Sequence, residues 1–183
     1  YVDDVLGANA KTRLMDLSQG LVDSYKAFIG KTTWLGDDSK QRIIEKLDHM
    51  TLNVLEPEGG YFDYSGLNLT SSDQGGTLFA NYLKLKKYRQ DCESAMVGQH
   101  AVAAAPWFGI TPTMTNAFYD PTSNSINIFP GFVTSLIDTD NMTDAELLGR
   151  AGFTIGHEIS HGFDYMGSQL DAYGTPTPVF ADA

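Results

Sequence analysis

Apolar residues recur every three or four positions through Leu14, Leu17, Leu21, Tyr25 and Phe28, a spacing that predicts an amphipathic helix running to about Gly30. A second helix is predicted over GDDSKQRIIEKLDHMT, with Asp37 or Asp38 as its N-cap and Ile43, Ile44, Leu47 and Met50 as its buried stripe. The chain then changes character. LNVLEPEGGYFDYSGLNLTSSDQGG mixes Pro57 with glycine, serine and aspartate, and reads as a short extended piece followed by loop. Helical spacing resumes through Leu78, Tyr82, Leu85, Tyr88, Cys92 and Met96, a face expected to enter the core. At TPTMTNAFYDPTSNSINIFPG the period drops to two: Ile126 and Ile128 alternate with polar residues and DPTSN has turn chemistry, predicting a hairpin or two adjacent strands closed by Pro130. The last helix lies in MTDAELLGRAGFTIGHEISHGFDYMG. Thr143 with Glu146 three residues on forms a capping box at its start, and Gly167 is its expected stop.

No internal repeat or low-complexity tract interrupts this order, which predicts one α+β, predominantly helical unit over residues 1–183. Residues 1–110 are read as mainly helical, and 111–183 as a β element plus the histidine-bearing helix. The chain opens directly on helical periodicity without an initial Met, as expected of a piece of a longer protein.

A net charge of −11, with acids scattered rather than gathered in a tail, argues against a phosphate-binding face and hence against nucleic acid as a partner. The single cysteine, Cys92, excludes an internal disulfide and reads as an apolar filler on its helix. No apolar run approaches the ~20 residues that span a bilayer, so no transmembrane segment is expected in this chain, and no signal peptide is visible. Cytoplasmic and exported bacterial settings both fit.

The candidate chemistry sits in TIGHEISHGFDYMG. On a helix, residues four apart are offset by ~40° and ~6 Å, so His157 and His161 project from one face and can share a cation. Imidazole nitrogens suit Zn²⁺ with a coordination position left for water. Glu158 follows the first histidine directly, where it can reach that water without binding the metal, the placement of a general base for hydrolysis of a peptide bond. H-E-x-x-H is short and also occurs on helices that bind nothing, so a helical peptide-binding or scaffold module with a vestigial motif stands beside the hydrolase reading. A purely structural zinc site fits less well, because such sites close four ligands. Asp164, three residues past His161, falls near the same face and can accept the second ring N–H of a ligand histidine. His49 and His100 have no partner at ligand spacing and are read as structural or solvated.

These residues point to a family. IGHEISHGFD resembles the zinc-helix motif of the neprilysin-like (M13) zinc metallopeptidases, including their bacterial oligopeptidases, and NAFYDPTSNSINIFPG is similar to that family's Asn-Ala-Tyr-Tyr segment with its following N-x-I-x-F-P. WLGDDSKQRIIEKLDHMTLNVLEP also resembles the family's helix and extended segment, so the likeness runs from about Lys31 to Gly174. The resemblance implies a zincin-like fold, with the H-E-x-x-H helix packed near a small hairpin or sheet. It implies a metalloendopeptidase acting on oligopeptides with one Zn²⁺, and a peptide substrate bound by the Asn116 amide and the edge strand at Ala117. It also implies what is missing: the family's third ligand, a downstream glutamate in E-N-x-A-D, and its transition-state histidine and arginine have no counterpart after His161. Tyr165 replaces a second acid usual after GFD. The expectation is therefore a fragment holding two of three protein ligands and the base, inactive alone, whose partner is the rest of the parent peptidase and which can self-associate through the surface that remainder would cover.

Overall fold

A computed structural model describes residues 5–7, 9–58, 60–98, 107, 110–136 and 141–180. The first helix, α1 (Ala10–Lys31), buries Ala10, Leu14, Ser18 and Val22. Leu17, Leu21 and Tyr25 pack at the margin of the core, whereas Phe28 is 65% exposed and is not part of the stripe. The buried line runs strictly four apart, and Ser18 can join it because its hydroxyl donates to the Leu14 carbonyl at 2.7 Å. Helix α2 (Asp37–Asp48) begins after Gly36 with no side-chain cap bond, so Asp37 and Asp38 are not the N-cap. They occupy the first turn, where the helix dipole favours negative charge. Ile43, Leu47 and Met50 are buried as expected and Ile44 only partly; the buried face instead includes Lys46.

Three strands form one sheet in the order β1 (Thr51–Val54), β3 (Ser125–Ile128), β2 (Ala117–Asp120). β1 runs parallel to β3, pairing Thr51 with Ser125 and Val54 with Ile128. β2 and β3 form the expected hairpin, antiparallel, with Ala117 opposite Ile128 and Asp120 opposite Ser125. As the central strand, β3 is buried at all four positions rather than alternately. Ile126 and Ile128 join the apolar core. Asn127 is buried too, and its Oδ1 accepts from Asn53 Nδ2 and Trp107 Nε1, each at 2.9 Å, which meets the demand that a buried amide be hydrogen-bonded.

Helix α3 (Leu78–Ala95) buries no residue among those described, which corrects the expected core face: Leu78 is 89% exposed and Tyr82 50%. Its contacts are with the loop before it, through Asn81 on the Thr70 main chain and the ring of Tyr88 against Phe62 and Tyr64. Pro130 does close β3, but it also opens a helix that periodicity did not reveal, α4 (Pro130–Leu136), at whose first position proline costs no hydrogen bond.

The final helical run comprises α5 (Asp144–Leu147), a π-turn at Leu148–Gly152, α6 (Phe153–Ser160) and a 3₁₀ turn at His161–Phe163. The capping box is formed as read, with Thr143 and Glu146 each accepting the other's main-chain N–H. The run ends at Phe163, where Asp164 turns extended. Gly167 is thus not its stop but the first residue of a separate 3₁₀ turn, Gly167–Gln169. Leu147, Ala151, Ile155 and Ile159 are buried in the core that α1, α2 and the sheet share, and α6 also packs against β2.

Candidate metal centre

His157 lies in α6, and His161 is the first residue beyond it, with backbone angles of −62° and −21° that continue the helix. The two rings therefore leave one face of an unbroken helical run, as the spacing predicted. Their Nε2 atoms approach to 3.0 Å with the rings at 81° to each other. Two imidazole nitrogens bound tetrahedrally to one Zn²⁺ at ~2.0–2.1 Å would stand about 3.3 Å apart, so the pair needs to open by only a few tenths of an ångström to hold an ion. The residues present fit the metal in position and in donor chemistry.

The environment also sets the tautomer. His161 Nδ1 lies 2.7 Å from Asp164 Oδ2. Asp164 Oδ1 in turn accepts from the main-chain N–H groups of Met166 at 2.9 Å and Gly167 at 2.8 Å. Burial pushes the Asp164 carboxyl up, but the hydrogen bonds from Gly167, His161 and Met166 outweigh it and hold it below the usual carboxylate range. An ionised carboxylate can only accept, so His161 Nδ1 must carry the proton, and the Nε2 lone pair is left facing His157.

Glu158 lines the same cleft as the two histidines but is only 6% exposed. Burial raises its pKa, against the opposing influence of His161, His157 and the Tyr119 main-chain N–H that donates to it. This couples helix to sheet. In β2, the Asn116 carbonyl pairs with Phe129 of the neighbouring chain segment, so the alternation turns the main chain of Ala117 and Tyr119 to the open edge. Tyr119 uses that edge for Glu158, while Ala117 borders a cleft of about 410 Å³ whose lining also includes Asn116, Phe118, His157, Glu158 and His161. The sequence-derived residues His157, Glu158, His161, Asp164, Asn116 and Ala117 all meet in this one cleft.

His49 is exposed and bonds Glu45 and Tyr173, away from the cleft; His100 lies outside the described residues. Among the described residues no third His, Cys, Asp or Glu completes a three-ligand cluster with the two histidines. Tyr119 and Gly167 carry no signal of a role at this site in the sequence. Tyr119 acts through its main chain, which no residue pattern advertises, and Gly167 was read as a helix stop.

Residues 116–181 match the sequence profile of peptidase family M13. Across 95% of its length the chain is 27% identical to Neprilysin-1 of Trittame loki and 28% identical to a neutral endopeptidase of Lactococcus lactis subsp. lactis. It spans 24% and 27% of those proteins, about a quarter of each. Among solved structures, PepO from Lactobacillus rhamnosis superposes with a TM-score of 0.83 at 30% identity over 98% of this chain and 28% of that one. A zinc metalloprotease of Mycobacterium tuberculosis in complex with inhibitor gives 0.75 at 28% identity, over 99% and 28%. The mainly helical α+β architecture is common to them.

Proposed function

We propose, from the match of residues 116–181 to the profile of peptidase family M13 and from the likeness to neprilysins and bacterial neutral endopeptidases, that the chain belongs to that family and carries the zinc-binding and general-base part of a metalloendopeptidase that cleaves oligopeptides. The observation that carries this reading is the meeting of two imidazole Nε2 atoms at 3.0 Å with the buried carboxylate of Glu158 beside a free strand edge. His157 and His161 would hold the Zn²⁺. When bound, that ion lowers the pKa of a water ligand toward neutrality and polarises the scissile carbonyl. Glu158 accepts the water's proton and returns it to the leaving amine. Its burial keeps the carboxyl a stronger base than an exposed glutamate, and the Tyr119 N–H fixes one side of the group so that the other faces the cleft. Asp164 keeps His161 in the tautomer that presents Nε2.

The substrate lies along β2. Ala117 offers main-chain groups at the open edge, and an extended peptide added there gains hydrogen bonds that do not depend on its sequence. The exposed Asn116 amide at the strand's start gives a further donor and acceptor to the peptide backbone. Two imidazoles supply half of a tetrahedral set, so tight zinc binding requires a further protein ligand. The 183 residues by themselves are expected to hydrolyse no peptide, and chelator-sensitive turnover by this purified chain would show that expectation wrong.

The decisive experiment is Glu158→Gln in the protein that carries this sequence. Loss of a positioned general base costs ~10²–10⁴ in rate, so kcat should fall by at least a hundredfold while zinc content stays at one ion per chain. Unchanged turnover would leave the vestigial, peptide-binding reading in its place.

A further inference from the structure

The buried face of α2 contains a lysine. Lys46 is completely shielded from solvent, a state lysine rarely adopts without a partner. Its ammonium donates to two main-chain carbonyls, Gly167 at 2.5 Å and Leu170 at 2.6 Å, and stands 5.8 Å from the centroid of the Tyr119 ring. The backbone at Lys46 is anchored as well: its carbonyl accepts from Asn124 Nδ2 at 2.9 Å, and Asn124 also donates to Ala172 and accepts from the Tyr119 hydroxyl. Asn124 sits at φ 47°, a backbone region asparagine enters more readily than most residues. A buried cation costs far more than a methionine of similar length would. Filling the core is therefore a poor account of this residue, and what it holds is the better one.

Both carbonyls belong to the turn that follows the histidine helix. Gly167 is engaged from both sides, its N–H on Asp164 and its carbonyl on Lys46. It also packs so closely beneath the helix end that an added Cβ would lie 1.9 Å from the His161 carbonyl. A continuous line of short contacts thus runs from Lys46 through Gly167 to the Asp164 carboxylate and on to His161 Nδ1. We propose that Lys46 is a positioning residue for the metal centre, pinning Gly167 and Leu170 so that Asp164 stays aligned on His161 and the Nε2 lone pair stays aimed into the cleft. This inference rests on His157 and His161 being the metal ligands.

The test uses Co²⁺ as a spectroscopic probe in the protein that carries this sequence. Its dissociation constant is measured by chelator competition and its visible ligand-field spectrum recorded for the wild type, Lys46→Met, Asp164→Asn and the double variant, with Lys26→Met as a surface control. Removing a partner of a metal-bound histidine weakens metal binding ~10–100-fold. Lys46, one step further out, should weaken it about threefold to tenfold and shift the ligand-field bands, while Lys26→Met changes neither. Because Lys46 acts through Asp164, the double variant should bind Co²⁺ no more weakly than Asp164→Asn alone, within about twofold. Unchanged Co²⁺ affinity in Lys46→Met, or losses that multiply in the double variant, would overturn the proposal. A wild type that binds no Co²⁺ would instead remove the metal-ligand reading beneath it. Should Lys46→Met lose cooperative unfolding, Lys46→Gln, which keeps N–H donors on a neutral side chain, replaces it. Failure of both to fold would make Lys46 a residue of the core alone, which equally contradicts the positioning role.

Discussion

Two glycines eleven residues apart on either side of His161 should respond to the same substitution in opposite directions. At Gly167 an added Cβ would stand 1.9 Å from the His161 carbonyl oxygen and 2.8 Å from the Gly162 carbonyl carbon, both main-chain atoms with no rotamer to yield. Ordinary contact needs at least 3.4 Å, so the turn and the helix end must separate by more than an ångström. Forced overpacking of this kind costs typically ~1–3 kcal/mol. The shift would also disturb the Gly167 N–H bond to Asp164 and its carbonyl bond to Lys46, each worth ~1 kcal/mol or more where a charge takes part. A total near 4 kcal/mol corresponds to a fall in Tm of roughly 8–16 °C for a domain of this size. Gly156, by contrast, lies inside α6 with nothing within 4 Å of an added Cβ. There alanine relieves the backbone entropy cost of a helical glycine and should stabilise by ~0.5–1 kcal/mol, raising Tm by about 1–4 °C. Thermal unfolding followed by circular dichroism reads both variants directly. A Gly167→Ala protein that melts within 2 °C of wild type, or a Gly156→Ala protein that melts several degrees below it, would refute the packing argued here for the end of the histidine helix.

Asp164→Asn keeps the Oδ1 acceptor for Met166 and Gly167 but presents an amide N–H to His161 Nδ1, forcing the proton onto Nε2; zinc affinity measured by chelator titration should fall ~10–100-fold with little change in Tm. Burial lowers the Lys46 ammonium pKa to about 8, partly offset by Asp171 and Asp164. Between that value and the ordinary 10.5 the unfolded chain binds the extra proton, so this group's contribution to stability grows as pH rises through that window and is lost as pH falls through 8. Chemical denaturation from pH 7 to 10 should show a rise in wild-type stability relative to Lys46→Met, and parallel curves would contradict it.

The local features that depend on neighbours in sequence were legible without coordinates. The capping box at Thr143, the hairpin across DPTSN and the shared face of His157 and His161 each follow from spacing alone, and each is present. What failed to show in sequence was decided by partners distant along the chain. The apolar face of α3 has the same periodicity as that of α1, yet only α1 meets the sheet and α6; periodicity states that a face can be buried, not that anything arrives to bury it. The helix opening at Pro130 was hidden because the same proline ends the strand before it.

The same distinction divides the site. The groups proposed to serve the metal carry their chemistry in their side chains, so His157, Glu158 and His161 could be named from their identities, whereas Asn116 came only from the resemblance of its segment. Apart from Asp164, whose carboxylate was legible three residues past His161, the groups that hold them in place act through main-chain atoms or from another element. Tyr119 serves Glu158 with a backbone N–H, and Gly167 serves Asp164 with another. Lys46 stands 111 residues before Glu158's neighbour His157, three residues after Ile43 and four before Met50, so helical spacing puts it on the buried stripe and only its charge argues for solvent. Its burial makes sense only once the turn at 167–170 has folded back onto α2 and offered two carbonyls to its ammonium. Support for the histidine helix is thus a property of the assembled fold, carried by a buried charge rather than by a motif.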